Sequence, residues 1–345
     1  MITYNEAKLE IEQNSENILR FNEKVAYVTV TPFDDAVNEK CGKMNITYGF
    51  STRLGGVSSG IFSEMNVGFK VGDDTETVLK NYSRLAMALG IDEKRISCPD
   101  QIHKTRIRRV SEKDAGNGII RPVPGHDLMT DGQVTNVKNL PLIVYGADCV
   151  PIMAYDPEKN AIGTAHAGWR GTAGRIAEKL ISKMQIEYNS NPSQILVVIG
   201  PSAGQDSYEV TEDVADSLKE MLLNIGVREN RIDEMLKTKE SKDESIKKNM
   251  QGNSKKDIQK VTKIDAQKDS QINIQKNMND IMQENLKKYM IDLWGINSAV
   301  LIHAGISEKN IFVSGLDTIS LHEIFHSHRA TNGKRGLNCG IIMLK

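Results

Sequence analysis

The sequence predicts an α+β fold: one domain of mixed sheets flanked by helices across residues 1–345, with a polar surface insertion at 237–280. Three observations carry this expectation. Apolar runs of strand character are interleaved with segments of helical spacing, in an irregular order that fits no βαβ repeat. The hydrophobic share, 39% of 345 residues, is ordinary for a globular chain with a sizeable core. Between Tyr208 and Tyr289 there is no aromatic residue, and 237–280 is rich in Lys, Gln, Asn, Asp and Ser. Such a stretch cannot bury enough apolar area to offset its ordering entropy, so it reads as a flexible, solvated spacer.

Val25 to Thr31 and Ile46 to Phe50 read as strands interrupted by a polar loop. Ser51 to Gly60, dense in Gly and Ser, is a shaped loop. A helix begins with Asp73 as N-cap and Glu76 three residues on; Val78, Tyr82, Leu85 and Leu89 share its apolar face, and Gly90 stops it. Ile102 to Val110 reads as a strand. Leu140 to Tyr155 and Ala161 to Ala165 read as two strands joined by a turn at Asp156 to Asn160. Helical spacing returns after Gly171 through Ala173, Ile176, Leu180 and Met184. Ile195 to Ile199 is a buried strand, and Val210 to Ile225 an amphipathic helix closed by Gly226. Met278, Met282, Leu286, Tyr289 and Leu293 fall at helical spacing. The chain closes with strand-like runs at Ser298 to Ile302, Asn310 to Val313 and Cys339 to Leu344.

Charge and cysteine usage narrow the function classes. Lys and Arg total 44 against 45 Asp and Glu, a net charge of −1, which argues against a general nucleic-acid or anionic-membrane binder. No apolar run reaches the length of a membrane span, and the first residues contain no apolar signal region. Cys41, Cys98, Cys149 and Cys339 are scattered and form no CxxC, so they read as reduced thiols of a cytoplasmic protein. Oligomeric state is left open.

Cys149 lies in Ala147-Asp-Cys-Val-Pro151 and His166 in His166-Ala-Gly-Trp-Arg-Gly171, each beside an apolar strand-like run. His103, in Gln101-Ile-His103, follows a turn. A thiolate with two imidazoles suits zinc first and copper second, and three ligands leave a fourth position for water or substrate. Their separations match no standard zinc finger, and a lone His or Cys beside a strand is more often structural. Seven histidines with a single His-X-His pair, His326-Ser-His328, are too few and too dispersed for a multicopper cluster. Arg170 opens a helix next to Gly168, an arrangement suited to an anion, although a surface arginine is an equal reading. Ser51-Thr-Arg-Leu-Gly-Gly56 places a hydroxyl and the Arg53 guanidinium before two glycines, where backbone can approach a ligand or simply turn. Asp148, next to Cys149, reads as an acid or base, or as a carboxylate orienting a metal-bound His. Asp131 reads as a turn residue.

Ser51-Thr-Arg-Leu-Gly-Gly-Val-Ser58, Met65-Asn-Val-Gly68, Val71-Gly-Asp-Asp74, Gln101-Ile-His103, Asp131-Gly-Gln-Val-Thr135, Ala147-Asp-Cys-Val-Pro151, His166-Ala-Gly-Trp-Arg-Gly171 and Ile199-Gly-Pro201 occur in that order. Together they closely resemble the bacterial family first described as multicopper polyphenol oxidases or laccase-domain proteins and now described as purine nucleoside phosphorylases that also deaminate adenosine. The resemblance implies a single α+β domain and a zinc held by His103, Cys149 and His166, with copper as the second metal. It implies phosphorolysis of adenosine, inosine or methylthioadenosine to free base and ribose 1-phosphate, with purine nucleoside and phosphate as partners. Asp148, Arg53 and Cys149 are then the catalytic candidates, and Ser51, Arg53 and Arg170 the substrate contacts. A competing reading is a cytoplasmic cysteine-type amidohydrolase editing peptidoglycan precursors, with Cys149 as nucleophile and His166 as base. A structural zinc closed by Cys41, Cys98 or Cys339 is a third, and polyphenol oxidation ranks last. Lys104, Asp317-Thr318, Ser327-His-Arg329 and Gly333-Lys-Arg-Gly336 depart from the family pattern, as does the Lys-rich insertion.

Overall fold

Two packed sheets carry the α+β fold, and the chain passes from one to the other at a break that also forms the site. The computed structural model describes residues 2–13, 16–22, 24–119, 129–239 and 287–345. Elements are numbered in chain order. The first sheet is antiparallel and holds β1 (Asn17–Asn22), β2 (Val25–Val30), β3 (Ile46–Ser51), β14 (Asn338–Leu344) and β6 (Leu142–Gly146), in that spatial order. The second runs β13 (Ile311–Val313), β9 (Leu196–Ile199), β7 (Val150–Asp156), β8 (Ala161–Ala167), β5 (Gly132–Thr135) and β4 (Ile107–Arg109). Its two outer pairs are parallel and its centre antiparallel. A small antiparallel sheet joins β10 (Glu209–Thr211), β12 (Lys288–Ile291) and β11 (Leu236–Thr238).

Side-chain alternation explains the layering. In β7, Met153 and Tyr155 point to the core shared with Tyr48, Phe50, Leu142 and Ile342 of the first sheet. Ile152 and Ala154 point the other way, against α5 (Ile176–Tyr188), α6 (Glu212–Asn224) and α8 (Leu293–His303). In β6 and β14, Ile143 and Ile341 face outward and pack under Val78, Tyr82 and Leu85 of α3 (Thr75–Leu89). The order is therefore helix, sheet, sheet, helices. Both sheets are buried on two faces, which is why their strands read as continuous apolar runs.

Several expectations change. The run Leu140 to Tyr155 is two strands in two sheets, parted at Ala147 to Cys149, where Asp148 takes a left-handed φ of 85°. The loop after β2 is a helix, α2 (Thr31–Cys41): Pro32 suits its first turn, Phe33 and Val37 bury, and Gly42 caps it at φ 70°. The cap of α3 is Asp74, which accepts from Thr77 N at 2.8 Å; Asp73 instead accepts from Ser58 Oγ and Asn66 Nδ2. Only Ile107–Arg109 of the run 102–110 is strand. Ser298 to Ile302 belongs to helix α8, because Asp292 caps that helix and Leu293, Ile296, Val300 and Leu301 bury at helical spacing. Short apolar runs do not distinguish the two states. Tyr289 lies on β12, paired with Val210 and Thr238. Of the proposed insertion, 240–280 lies outside the described residues, and Lys237 and Thr238 belong to β11. Met278, Met282 and Leu286 also lie outside them. Among the described residues no helix is long and apolar enough to cross a membrane.

Leu180 is fully buried in α5 behind β8, the strand that carries His166. Leu180→Ala should destabilise the fold by about 2–5 kcal/mol, read as a lowered denaturant midpoint at unchanged slope.

Candidate metal centre

Strand register brings four distant residues to one end of the second sheet. Val150 pairs with Ala167 and Pro151 with His166, so Cys149, just before β7, meets the end of β8. Gly132 pairs with Ala165, so Asp131, just before β5, stands on the other side of His166. Ile107 pairs with Gly132, and the loop before it carries His103. The ligand atoms of His103, Cys149 and His166 all lie within 4.8 Å of one another. The two imidazole rings stand 4.7 Å apart and nearly perpendicular. Donors around a tetrahedral zinc sit about 3.5 Å apart, so a small contraction closes this group on one ion.

Asp131 organises the cluster. Its carboxylate is 1% exposed and accepts from His166 Nδ1 at 3.0 Å. It also accepts backbone N–H groups from Ile102 (3.2 Å), His103 (2.8 Å) and Lys104 (2.8 Å). The bond to Nδ1 leaves His166 Nε2 for a metal, the usual way a carboxylate orients a ligating histidine. The three N–H bonds hold His103 at φ 56°, a left-handed backbone that few residues adopt unaided. Gln101 secures the same loop: its amide donates to Tyr145 O at 3.0 Å and accepts from Tyr145 N at 2.7 Å. Gly168 is required by close approach, since a Cβ there would stand 3.0 Å from Cys149 Sγ and 3.4 Å from His103 Nδ1.

The electrostatics favour a thiolate. Burial pushes the Cys149 thiol up, but the charge of His166 and hydrogen bonds from both imidazoles outweigh it and bring the thiol down to about 6. Burial disfavours the His166 imidazolium, yet Cys149 and Asp131 raise it to about 9. Without metal the two groups form an ion pair between those values. A cation bound there would take the place of the His166 proton. Among the described residues no fourth His, Cys, Asp or Glu joins the group, and His103 is exposed, so a coordination position faces outward. Cys98 lines the same cavity but stands outside the ligand group, Cys339 is buried in the first sheet, and Cys41 lies 3.5 Å from the Tyr155 hydroxyl.

The three side chains line a cavity of about 310 Å³. Phe69, Pro99, Leu337 and glycines 68, 118 and 146 supply flat apolar wall, and Arg335 brings a guanidinium. A larger cavity of about 790 Å³, beside Met235, Trp294 and Ile302, contains none of the cluster. Three expected substrate contacts are not on the wall of the smaller cavity. Ser51 Oγ accepts the Cys339 N–H at 2.9 Å inside the first sheet. Arg53 is consumed by the carbonyls of Ser63 (2.6 Å) and His322 (2.7 Å). Arg170 is exposed and lies over the Trp169 ring at 4.2 Å. Asp148 is also absent from the wall. Its oxygens accept from Thr318 Oγ1 (2.8 Å) and Arg329 N (2.6 Å), so it clamps the C-terminal segment instead of orienting a histidine. Sequence reasoning gave Asp131 only a turn and Arg335 only a departure from the family pattern: register across β5 and β8, invisible along the chain, is what puts Asp131 beside His166.

A family model described as multi-copper polyphenol oxidoreductase laccase matches residues 47–240 and 223–345. The chain is 30% identical over 297 residues to "Purine nucleoside phosphorylase YlmD" of Bacillus subtilis, covering 86% of this chain and 88% of that one. It is 33% identical over 177 residues to "Adenosine deaminase RL5" from an unknown prokaryotic organism, covering 51% and 67%. The crystal structure of YlmD from Geobacillus stearothermophilus superposes with a TM-score of 0.70 at 28% identity, over 95% of this chain and 99% of that one.

Two outcomes are expected. In metal-free protein, iodoacetamide should alkylate Cys149 with a midpoint near pH 6, not near 9, because the neighbouring imidazolium holds the thiolate. Adding a bound divalent ion should slow that reaction. Asp131→Asn should weaken divalent-metal affinity about 10- to 100-fold by chelator competition; unchanged affinity would remove the carboxylate from the account.

Proposed function

We propose a zinc-dependent purine nucleoside phosphorylase that also deaminates adenosine for this chain, which belongs to the family described as multi-copper polyphenol oxidoreductase laccase. The observation that carries the reading is the His103–Cys149–His166 group set at the wall of a 310 Å³ cavity with flat apolar sides. That volume sits at the lower end of the about 300–1,000 Å³ typical of small-molecule sites. The names of the relatives agree with it. We read residues 1–345 as one catalytic unit acting in the cytoplasm.

In phosphorolysis a phosphate oxygen bonds to C1′ of the ribose as the bond to the purine nitrogen breaks. The electron pair leaves with the base, which takes up a proton, and ribose 1-phosphate remains. In deamination water replaces the 6-amino group, and ammonia leaves. Zinc held by a thiolate and two imidazoles supplies a Lewis acid that polarises a ligand and acidifies water. The protein supplies position. Asp131 fixes the His166 tautomer and the His103 loop. Phe69 and Leu337 shed water from one face of a planar base. Adenosine, inosine and methylthioadenosine share the ribosyl purine that this reading assigns to the cavity.

The donor set does not suit polyphenol oxidation. Among the described residues the only metal-ligating group has three members, and His326 of the lone His-X-His pair is buried and accepts the Gly336 N–H at 3.2 Å. A cysteine amidohydrolase acting on a cell-wall precursor has one observation in its favour: Cys149 Sγ and a His166 ring nitrogen lie within 4.8 Å, and the imidazole draws the thiol down.

Cys149→Ala should abolish zinc retention and lower both reactions by at least about 100-fold, from the loss of a metal ligand. The decisive assay incubates zinc-loaded protein with adenosine and phosphate and separates the products. Adenine with ribose 1-phosphate, together with inosine, is expected. Neither product, from protein of full metal content, would end this reading.

A further inference from the structure

The cavity wall holds one cation that no direct ion pair answers among the described residues; Asp148 and Cys149 favour its charge only through space. Arg335 lines the same space as Cys149 and His166. Its Nε is buried without a hydrogen-bond partner, and its Nη1 reaches only the carbonyl of its neighbour Gly336, at 3.2 Å. It makes no ion pair among the described residues. Three other cations near the site are engaged. Lys70 is bound to Asp100 at 2.6 Å, Arg170 lies over Trp169, and Arg329 donates to Glu209 O at 2.7 Å while its guanidinium carbon lies 5.2 Å from the centre of the Tyr208 ring.

Arg335 as a whole is half-buried, but a guanidinium whose Nε is buried and idle carries a cost that an arriving acceptor removes. Its backbone is held ready for one. Gly336 N donates to His326 Nδ1, and Leu337 N donates to Asn66 Oδ1 at 2.9 Å. His326 can accept because burial and the nearby Arg53 and Arg335 keep it neutral, its imidazole lowered to about 3. A Cβ at Gly336 would stand 2.6 Å from His326 Nε2, so only glycine lets the strap lie this close to that ring. The backbone beneath the guanidinium is thus set before any ligand binds. Its planar fork suits two oxygens of a tetrahedral anion better than a lone purine nitrogen.

We propose that Arg335 binds the inorganic phosphate co-substrate, and so sets phosphate affinity without serving the deaminase reaction. This rests on the phosphorylase reading above and assigns the anion role to a residue other than Arg53 or Arg170.

The test compares Arg335→Met and Arg335→Lys with the parent protein, all zinc-loaded. Losing a charge-assisted pair of hydrogen bonds should raise KM for phosphate about 10- to 100-fold in Arg335→Met, with partial recovery in Arg335→Lys. KM for adenosine in deamination should move less than about threefold, since water replaces phosphate there. Equal losses in both reactions, or an unchanged KM for phosphate, would overturn the assignment. A second measurement needs neither turnover nor a variant. Inorganic phosphate alone should slow phenylglyoxal modification of Arg335 in the parent protein, read by peptide mass. No protection at phosphate concentrations above KM would also overturn it. If phosphate protects Arg335 but no nucleoside is cleaved, the anion site stands and the phosphorylase reading falls.

Discussion

Four hydrogen bonds converge on the Asp131 carboxylate, and the site depends on them. A carboxylate that is 1% exposed is stable as an anion only when its lone pairs are filled. Here three backbone N–H groups from residues 102–104 and one imidazole fill them. The same bonds tie a loop to a strand more than sixty residues away in sequence, and they set the His166 imidazole and the His103 backbone in advance. Preorganisation of this kind removes an entropic cost from binding, because the His166 ring does not have to search for its rotamer.

The break at Ala147 to Cys149 is the second constraint. Continuing β6 straight into β7 would keep Cys149 in one sheet and away from His166. The left-handed Asp148 redirects the chain into the second sheet. Its carboxylate then accepts from Thr318 and Arg329, and its carbonyl accepts the Ala203 N–H at 2.9 Å. Backbone strain at Asp148 is thereby held by three contacts from distant segments. Through Arg329 the same residue anchors the strap that carries Arg335. The metal group and the cationic wall share one point of attachment.

Ligand chemistry was legible along the chain, and its support was not. A thiol and two imidazoles suit a metal, but their spacing alone favoured a structural reading; the ordered motifs, through the family they resemble, singled out the three residues. Which carboxylate serves His166 depends on pairing between β5 and β8, so adjacency to Cys149 favoured Asp148 and hid Asp131. Arg53 and Arg170 carry the signature of anion binding, a guanidinium beside glycine, but nothing in spacing reveals that two carbonyls and an indole occupy them. Arg335 has the opposite profile: a sequence context that showed only a departure from the family pattern, and an unpaired nitrogen in a cavity. Ser298 to Ile302 shows the same limit for the fold, since five apolar residues are compatible with strand or helix until a cap and a buried face decide.

X-ray absorption at the zinc edge on the loaded protein tests the central claim most directly. The account predicts one zinc with one sulfur at about 2.3 Å, two imidazole nitrogens at about 2.0–2.1 Å, and a fourth light-atom ligand that exchanges when nucleoside or phosphate is added. A second sulfur, or a first shell that adding substrate leaves unchanged in zinc bound without Cys149, would contradict it.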